Sequence, residues 1–407
     1  MRISTNQFYN QNLRSLMDNQ SKLSDTQEAL STGKKLNRPS DDPVGAAKVV
    51  RLTEELDKLT QYQRNNDFLI GSLEQQETVL DGITSAVDRA RVLTIQSGSG
   101  AITDNDRAAL GSELKEIRDE LLDLMNSKDA NGQYIYSGHQ SDTPAFSIAS
   151  TNNGNIISYA GDAGKNFVNV SDNSKIQSTS SGFDVFENVL ARLEFEVNPT
   201  GTATVNDAQI NSQDAFDRFH SANFDNLTPA NNNFELTVQA SGEVELTNSG
   251  TGASYGTVPF TSGQPFTIEG MEFTVTGGVG DTVDFSLQTP EKKNLAQTVN
   301  DLYEVLSTPG LSQETYQKAL DDTLIGLDNG LQKVALERSS VGGRMNAAQS
   351  SYSNNLDLEV VTKAARSAIE DVDYAEASVE FSKQEAALNA TLATFPKLSN
   401  LSLFDYI

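Results

Sequence analysis

The sequence predicts a mainly α chain with a β-rich insert. Both chain ends form a long antiparallel helical bundle or coiled coil, and an α+β or all-β outer domain is inserted between them. Three observations predict this. Residues 1–130 and 291–407 share a composition rich in Leu, Ala, Gln, Glu, Asp and Lys. Apolar residues at both ends recur in alternating steps of three and four, the signature of a helical seam. The middle, 134–290, is different: it holds 15 of the 28 glycines and carries 18 Asp and Glu against 4 Lys and Arg, so −14 of the net −26 lies there. Its apolar residues alternate with polar ones, the period of a half-buried strand. Ends that resemble each other more than either resembles the middle are expected to pack together, giving segments 1–133, 134–290 and 291–407.

The first thirty residues carry only sparse apolar anchors, Ile3, Phe8, Leu13, Leu16, Leu23 and Leu30. Such a segment is marginal as an isolated helix. Gly33 is expected to end it, Asn37–Asp42 to form a loop, and Asp42 to cap the next helix with Pro43 at its first position. A seam then runs Val49, Leu52, Leu56, Leu59, Gln63, Asn66, Ile70, Leu73, Glu77, Leu80, and a second runs Leu110, Leu114, Ile117, Leu121, Leu124. The insert alternates at Phe234, Leu236, Val238; at Val244, Leu246; at Phe266, Ile268, Met271, Phe273, Val275 with an interruption at Gly270; and at Val283, Phe285, Leu287. Asn153-Gly154 and Gly277-Gly278 read as turns. Residues 183–194 read as the insert's helix. Towards the C-terminus, Leu295, Val299, Leu302 and Leu306 form a seam that Thr308-Pro309-Gly310 breaks. Leu320, Leu324, Leu327, Leu331, Val334, Arg338, Val341 and Met345 form the next, and Ala365, Ile369, Val372, Val379, Ala386 and Ala393 continue it. Gln63, Asn66, Glu77 and Arg338 stand where Leu would be more stabilising. They either fix register and partner choice or face water on a wide bundle.

Composition excludes much chemistry. With no Cys, disulfides, thiol nucleophiles and thiolate metal sites are absent, and two histidines, His139 and His220, cannot build a multi-His zinc site. A net charge of −26 repels phosphate and argues against nucleic-acid binding. No stretch approaches the ~18 apolar residues of a membrane span, and the opening MRISTNQFYN lacks the apolar core of a cleaved signal. Gly277-Gly278-Val279-Gly280 lacks the Gly-Lys-Ser/Thr of a phosphate loop. H-E-x-x-H does not occur, and no constellation of acid, base and nucleophile appears at motif spacing, so no catalytic, cofactor or metal residues are assigned. The acidic insert reads as a solvated surface, without EF-hand spacing.

One stretch resembles a known family. Leu30–Ala47, LSTGKKLNRPSDDPVGAA, is similar to the N-terminal signature of bacterial flagellins and their hook-associated relatives through Ser31, Gly33, Lys34, Lys35, Asn37, Pro39, Asp41, Asp42 and Pro43. The C-terminal partner motif is similar at Ile369–Ala377, including Asp371, Asp373, Tyr374 and Ala375. Within the family, Gly132–Gly138, Thr143–Phe146 (with Ala145 interposed) and Tyr159-Ala160-Gly161-Asp162 resemble the hook-associated protein 3 (FlgL-type) members. So does the end, with Leu401, Leu403, Phe404 and Tyr406. The resemblance covers 1–130 and 295–407. It implies a secreted, non-enzymatic structural subunit of the flagellum at the hook–filament junction. Implied partners are the first hook-associated protein (FlgK type), flagellin and copies of the chain in a helical tubular layer. Type III export is implied as well, with a FlgN-type chaperone on the C-terminal helix, about 355–407. The apolar tail either folds back on its own bundle or docks on neighbours. Two other functions stay open: flagellin itself, and an adhesin carried by the insert.

Overall fold

The computed structural model describes residues 2–99, 102–151 and 154–399. Its α-helices are Arg2–Thr32 (α1), Pro43–Ser97 (α2), Asp104–Met125 (α3), Gln213–Asn223 (α4), Leu295–Ser307 (α5), Gln313–Glu370 (α6) and Tyr374–Ser399 (α7). Its strands are Phe146–Thr151 (β1), Gly154–Tyr159 (β2), Phe167–Asn169 (β3), Lys175–Gln177 (β4), Val189–Leu190 (β5), Phe195–Asn198 (β6), Thr204–Ile210 (β7), Asn233–Val238 (β8), Glu243–Asn248 (β9), Ser254–Pro259 (β10), Pro265–Ile268 (β11), Met271–Thr276 (β12), Thr282–Leu287 (β13) and Lys292–Lys293 (β14). Helical ends with a strand-rich middle are the predicted class. The chain divides into two compact units: one comprises the residues up to Ile70, Val168–Ile176 and those from Asn346 onward; the other comprises Gly71–Phe167 and Gln177–Met345.

In the first unit α1 lies along α7. Thr26 Oγ1 donates to Gln384 Oε1 at 2.8 Å and Asn19 Nδ2 to Thr391 Oγ1 at 3.4 Å. The pairing is thin, because the apolar anchors are sparse. No described side chain of α1 is buried, and Ala377 alone is buried among those of α7. The first half of α2, with Leu56, Leu59 and Asn66 buried, lies beside the end of α6, with Ala348 and Asn355 buried, and Gln63 Nε2 donates across to Glu359 Oε2 at 2.6 Å. The β3–β4 hairpin straps this pair. The Val170 carbonyl accepts from Asn355 Nδ2 at 2.9 Å, Ser351 Oγ at 3.1 Å and Asn66 Nδ2 at 3.4 Å.

In the second unit, α6 buries Leu320, Leu327, Val334 and Val341, one per heptad, while α2 buries Leu73, Gln76, Leu80, Ile83 and Val87. α3 packs on α5 along the predicted seams, Leu110, Leu114, Ile117 and Leu121 against Leu295, Val299, Leu302 and Leu306. Thr103 and Asp106 form a capping box at the start of α3, and Asn294 caps α5 by accepting from Ala296 N at 2.8 Å. On α2 the seam differs from expectation by one position: Leu69 and Gln76 are buried where Ile70 and Glu77 were expected, and both expected residues stand at the flank. A straight helix drifts about 20° per heptad from a 3.5 repeat, enough over several turns to move the stripe by a residue.

The insert's strands fall where the alternation puts them. A five-stranded sheet, β10-β9-β8-β13-β6, and a three-stranded sheet, β11-β12-β7, share one core around Phe216, Phe234, Phe273 and Phe285. The interruption at Gly270 is a two-residue hairpin turn with Glu269 at φ 49° and Gly270 at φ 83°, which joins Ile268 to Met271. The helix expected at 183–194 is not formed. Phe183–Glu187 makes a π-helical turn, because Phe186 is drawn between the rings of Tyr136 (5.0 Å) and Phe146 (6.1 Å). Val189–Leu190 then pair with β14. Tertiary contacts override helix propensity here. The insert's helix is instead α4, which buries Phe216, Phe219 and His220 against the sheets.

Candidate functional site

The two terminal motifs meet in one joint, within the first unit. Gly33 closes α1 with φ +73°, the left-handed value that favours glycine. The chain then pairs with the turn between α6 and α7: Lys35 N donates to Glu370 O at 2.6 Å, Val372 N donates to Gly33 O at 3.0 Å, and Lys34 and Asp371 form a β-bridge. Lys34 Nζ reaches Glu370 Oε1 at 2.5 Å. A Cβ on Gly33 would meet Tyr374 Oη at 2.9 Å, so glycine also lets the tyrosine lie across the backbone. Both helices that leave the joint are capped by motif aspartates. Asp42 Oδ1 accepts from Val44 N (3.1 Å) and Gly45 N (3.0 Å), with Pro43 opening α2. Asp373 Oδ1 accepts from Ala375 N (2.8 Å) and Glu376 N (3.3 Å). Inside the loop, Asp41 Oδ2 accepts from Arg38 N at 2.9 Å, and Thr32 Oγ1 donates to Asn37 Oδ1 at 3.0 Å. Ser31 and Pro39 are exposed on the rim. The joint thus gathers Gly33, Lys34, Lys35, Asn37, Asp41, Asp42, Pro43, Asp371, Asp373, Tyr374 and Ala375. Leu401, Leu403, Phe404 and Tyr406 lie outside the described residues. Glu370, within the C-terminal motif, binds the loop through both its carbonyl and its carboxylate.

A second cluster, in the other unit, gathers the stretches that point to the hook-associated branch. A Cβ on Gly138 would sit 2.2 Å from Asp162 Oδ1, so Gly138 (φ +71°) and Asp162 fit only as a pair. Asp162 Oδ1 accepts from His139 N (2.9 Å) and Gly164 N (2.7 Å), and these bonds hold its carboxyl below the usual range. The Tyr159 hydroxyl donates towards Asp162 O (2.7 Å) and Tyr136 O (2.9 Å). Tyr136 is fully buried, and desolvation pushes its hydroxyl pKa well up.

The polar seam residues pair within the helices. Arg338 binds Glu77 at 2.7 Å and Asp81 at 3.0 Å, Gln63 Nε2 donates to Glu359 Oε2 at 2.6 Å, and Asn66 is buried under the β3–β4 strap. His220 is a buried structural residue, with Nε2 2.8 Å from Gln288 O and the ring stacked on Phe224. Among the described residues no group of His, Asp and Glu could hold a metal ion, and no helix is long and apolar enough to cross a membrane. The joint ties the two chain ends into one structural element.

Comparison with known proteins agrees. The family models for the bacterial flagellin N-terminal and C-terminal helical regions match residues 3–141 and 324–407, together more than half of the chain. Flagellar hook-associated protein 3 of Salmonella typhimurium is 36% identical over 149 residues, 37% of this chain and 47% of that protein. The match therefore spans about half of that relative's length. Flagellar hook-associated protein 3 of Escherichia coli is 25% identical over 405 residues, 100% of this chain and 99% of that protein. Among solved structures, FlgL of Xanthomonas campestris matches with a TM-score of 0.55 at 22% identity, covering 78% of this chain and 99% of that one. The flagellar junction protein FlgL of Legionella pneumophila matches at 0.54 and 22%, covering 79% and 99%. At such identities these structures speak for the fold. The chain belongs to the bacterial flagellin family, in its hook-associated protein 3 group.

Proposed function

We propose that the chain is a structural subunit of the bacterial flagellum that forms the hook–filament junction, with no enzymatic activity of its own. The observation that carries this is the full-length resemblance to a hook-associated protein 3. The joint that unites both terminal motifs supports it, because it ties the two chain ends into a single assembly element. Copies of the chain form a tubular layer. It contacts the first hook-associated protein on the hook side and flagellin on the filament side. Its work is mechanical, adapting a bending hook to a stiffer filament. The acidic insert faces outward. Export proceeds through the flagellar type III apparatus, and a FlgN-type chaperone holds the C-terminal helix beforehand.

The segments of α1 and α7 are disordered in the free subunit and fold into coiled coil on assembly. The thin α1–α7 contact supports this, since among the described side chains of the two helices only Ala377 is buried, too little to offset their ordering entropy. Deleting the gene tests the function. The expected result is bare hooks with monomeric flagellin shed into the medium. Normal filaments in a strain with no second copy would refute it. A second reading, flagellin itself, is favoured by 24% identity over 372 residues to flagellin B of Vibrio anguillarum. It would instead give filament loss with no flagellin in the medium.

A further inference from the structure

The two-sheet module shares no core with the helices of its unit. Its buried cluster draws on residues from Leu193 to Leu287 and on none from α2, α3, α5 or α6. The chain enters and leaves it through a neck, the two-residue ladder of β5 and β14, extended by Ala191 N to Glu291 O at 3.0 Å and Gln288 N to Glu194 O at 3.0 Å. Beside the neck lies a polar cavity of about 710 Å³, bounded on the helical side by Thr298, Lys318, Asp322 and Gly326. A neck with two strands, a polar cavity beside it and no shared core leave the module's angle to be set by polar contacts.

Those contacts are specific. Arg192, whose side chain is 12% exposed, spans from module to helix: Nε donates to Gln213 Oε1 of α4 at 2.8 Å, and Nη1 lies 3.3 Å from Asp322 Oδ1 of α6. One turn away, Lys318 Nζ binds Glu194 Oε2 at 3.0 Å. The signs cross over. The module side offers a cation then an anion, and α6 offers an anion facing the first and a cation facing the second, so a slide of one turn would set like charges together. We propose that these two pairs, Arg192–Asp322 and Lys318–Glu194, form an electrostatic latch that fixes the angle of the β-module on the helical part of its unit. Asn329 Nδ2, which donates to Leu190 O at 2.8 Å, anchors the base of the neck and serves as its pivot. The latch belongs to the single chain, so it holds whether or not the chain sits at the hook–filament junction.

The absence of cysteine makes the test direct, since two introduced cysteines are labelled uniquely. Spin labels at Glu120→Cys on α3 and Val279→Cys on the β12–β13 turn, both exposed positions, report the angle in the full chain as a distance distribution. The unaltered latch is expected to give one narrow peak. Asp322→Asn with Lys318→Gln should widen it about twofold, and the exchange Arg192→Asp with Asp322→Arg should narrow it again. Circular dichroism checks that each variant is folded. Should the first pair of substitutions fail to fold, 1 M salt, where the screening length is about 3 Å, must widen the peak of the unaltered chain. A broad peak in the unaltered chain at low salt, or an equal width after neutralisation or in 1 M salt, would overturn the latch.

Discussion

Gly33 carries two constraints, a left-handed backbone and the close passage of Tyr374. Gly33→Ala should cost the joint about 1–2 kcal/mol from backbone strain alone. Hydrogen exchange at Val372 N–H and Lys35 N–H should then speed up roughly 5- to 30-fold. Tyr374→Phe in the same chain should recover only the part due to the hydroxyl, and an unchanged exchange rate in Gly33→Ala would show that the joint does not depend on this turn. Asn66 and Asn355 make a contrasting pair under the strap. Asn355→Ala removes the shortest donor to Val170 O and should cost about 1–3 kcal/mol in urea unfolding. Asn66→Leu should cost less, because its Nδ2 is 3.4 Å from that carbonyl, its 2.9 Å bond goes to Tyr62 O within its own helix, and its buried Oδ1 has no partner to lose. The reverse order would mean that Asn66 carries the strap.

At the scale of elements, the part of the fold legible in the sequence is the part that repeats. Leu320, Leu327 and Val334 keep a seven-residue spacing, and Phe234, Leu236 and Val238 keep a two-residue one, so α6 and β8 could be read directly. β1 buries Phe146 alone of its six residues, so it has no alternation to read. It is instead held by Asn126, which binds Phe146 N at 2.9 Å and Phe146 O at 3.0 Å. β2 is likewise held by α5: Gln297 Oε1 accepts from Ile157 N and Glu304 Oε1 from Asn155 N, both at 2.6 Å. Such side-chain pairing has no local pattern. The terminal motifs could be read through resemblance, but their meeting through Lys35 N and Glu370 O is a backbone event that no residue type announces. α4 is short and packs through Phe216, Phe219 and His220, and burial lowers the His220 pKa. The unfolded chain therefore takes up the proton first as pH falls. Stability of the β-module should drop between the unfolded value, about 6.5, and the depressed folded one, then level off. Thermal unfolding at pH 7.5 and pH 5 should show this loss, and His220→Gln should remove most of it. Equal pH dependence in both chains would place the loss elsewhere.

At the scale of the molecule, burial is distributed according to task. The second unit buries heptad seams and an aromatic core, while among the described side chains of α1 and α7 only Ala377 is buried. Two of the four edge strands of the β-module, β10 and β11, are guarded against strand addition, since they carry Pro259 and Pro265 and β10 is bulged near Gly256. Under the proposed function, assembly is left to the helical ends. Hydrogen exchange on the soluble subunit should therefore show little protection over residues 2–30 and 380–399, and strong protection there would contradict folding on assembly. The most direct measurement of the central claim uses the same lack of cysteine. Val279→Cys, labelled with a fluorescent maleimide on live flagellated cells, should give a single focus where each filament meets its hook. Label distributed along the filament would contradict a junction subunit and make the chain a flagellin.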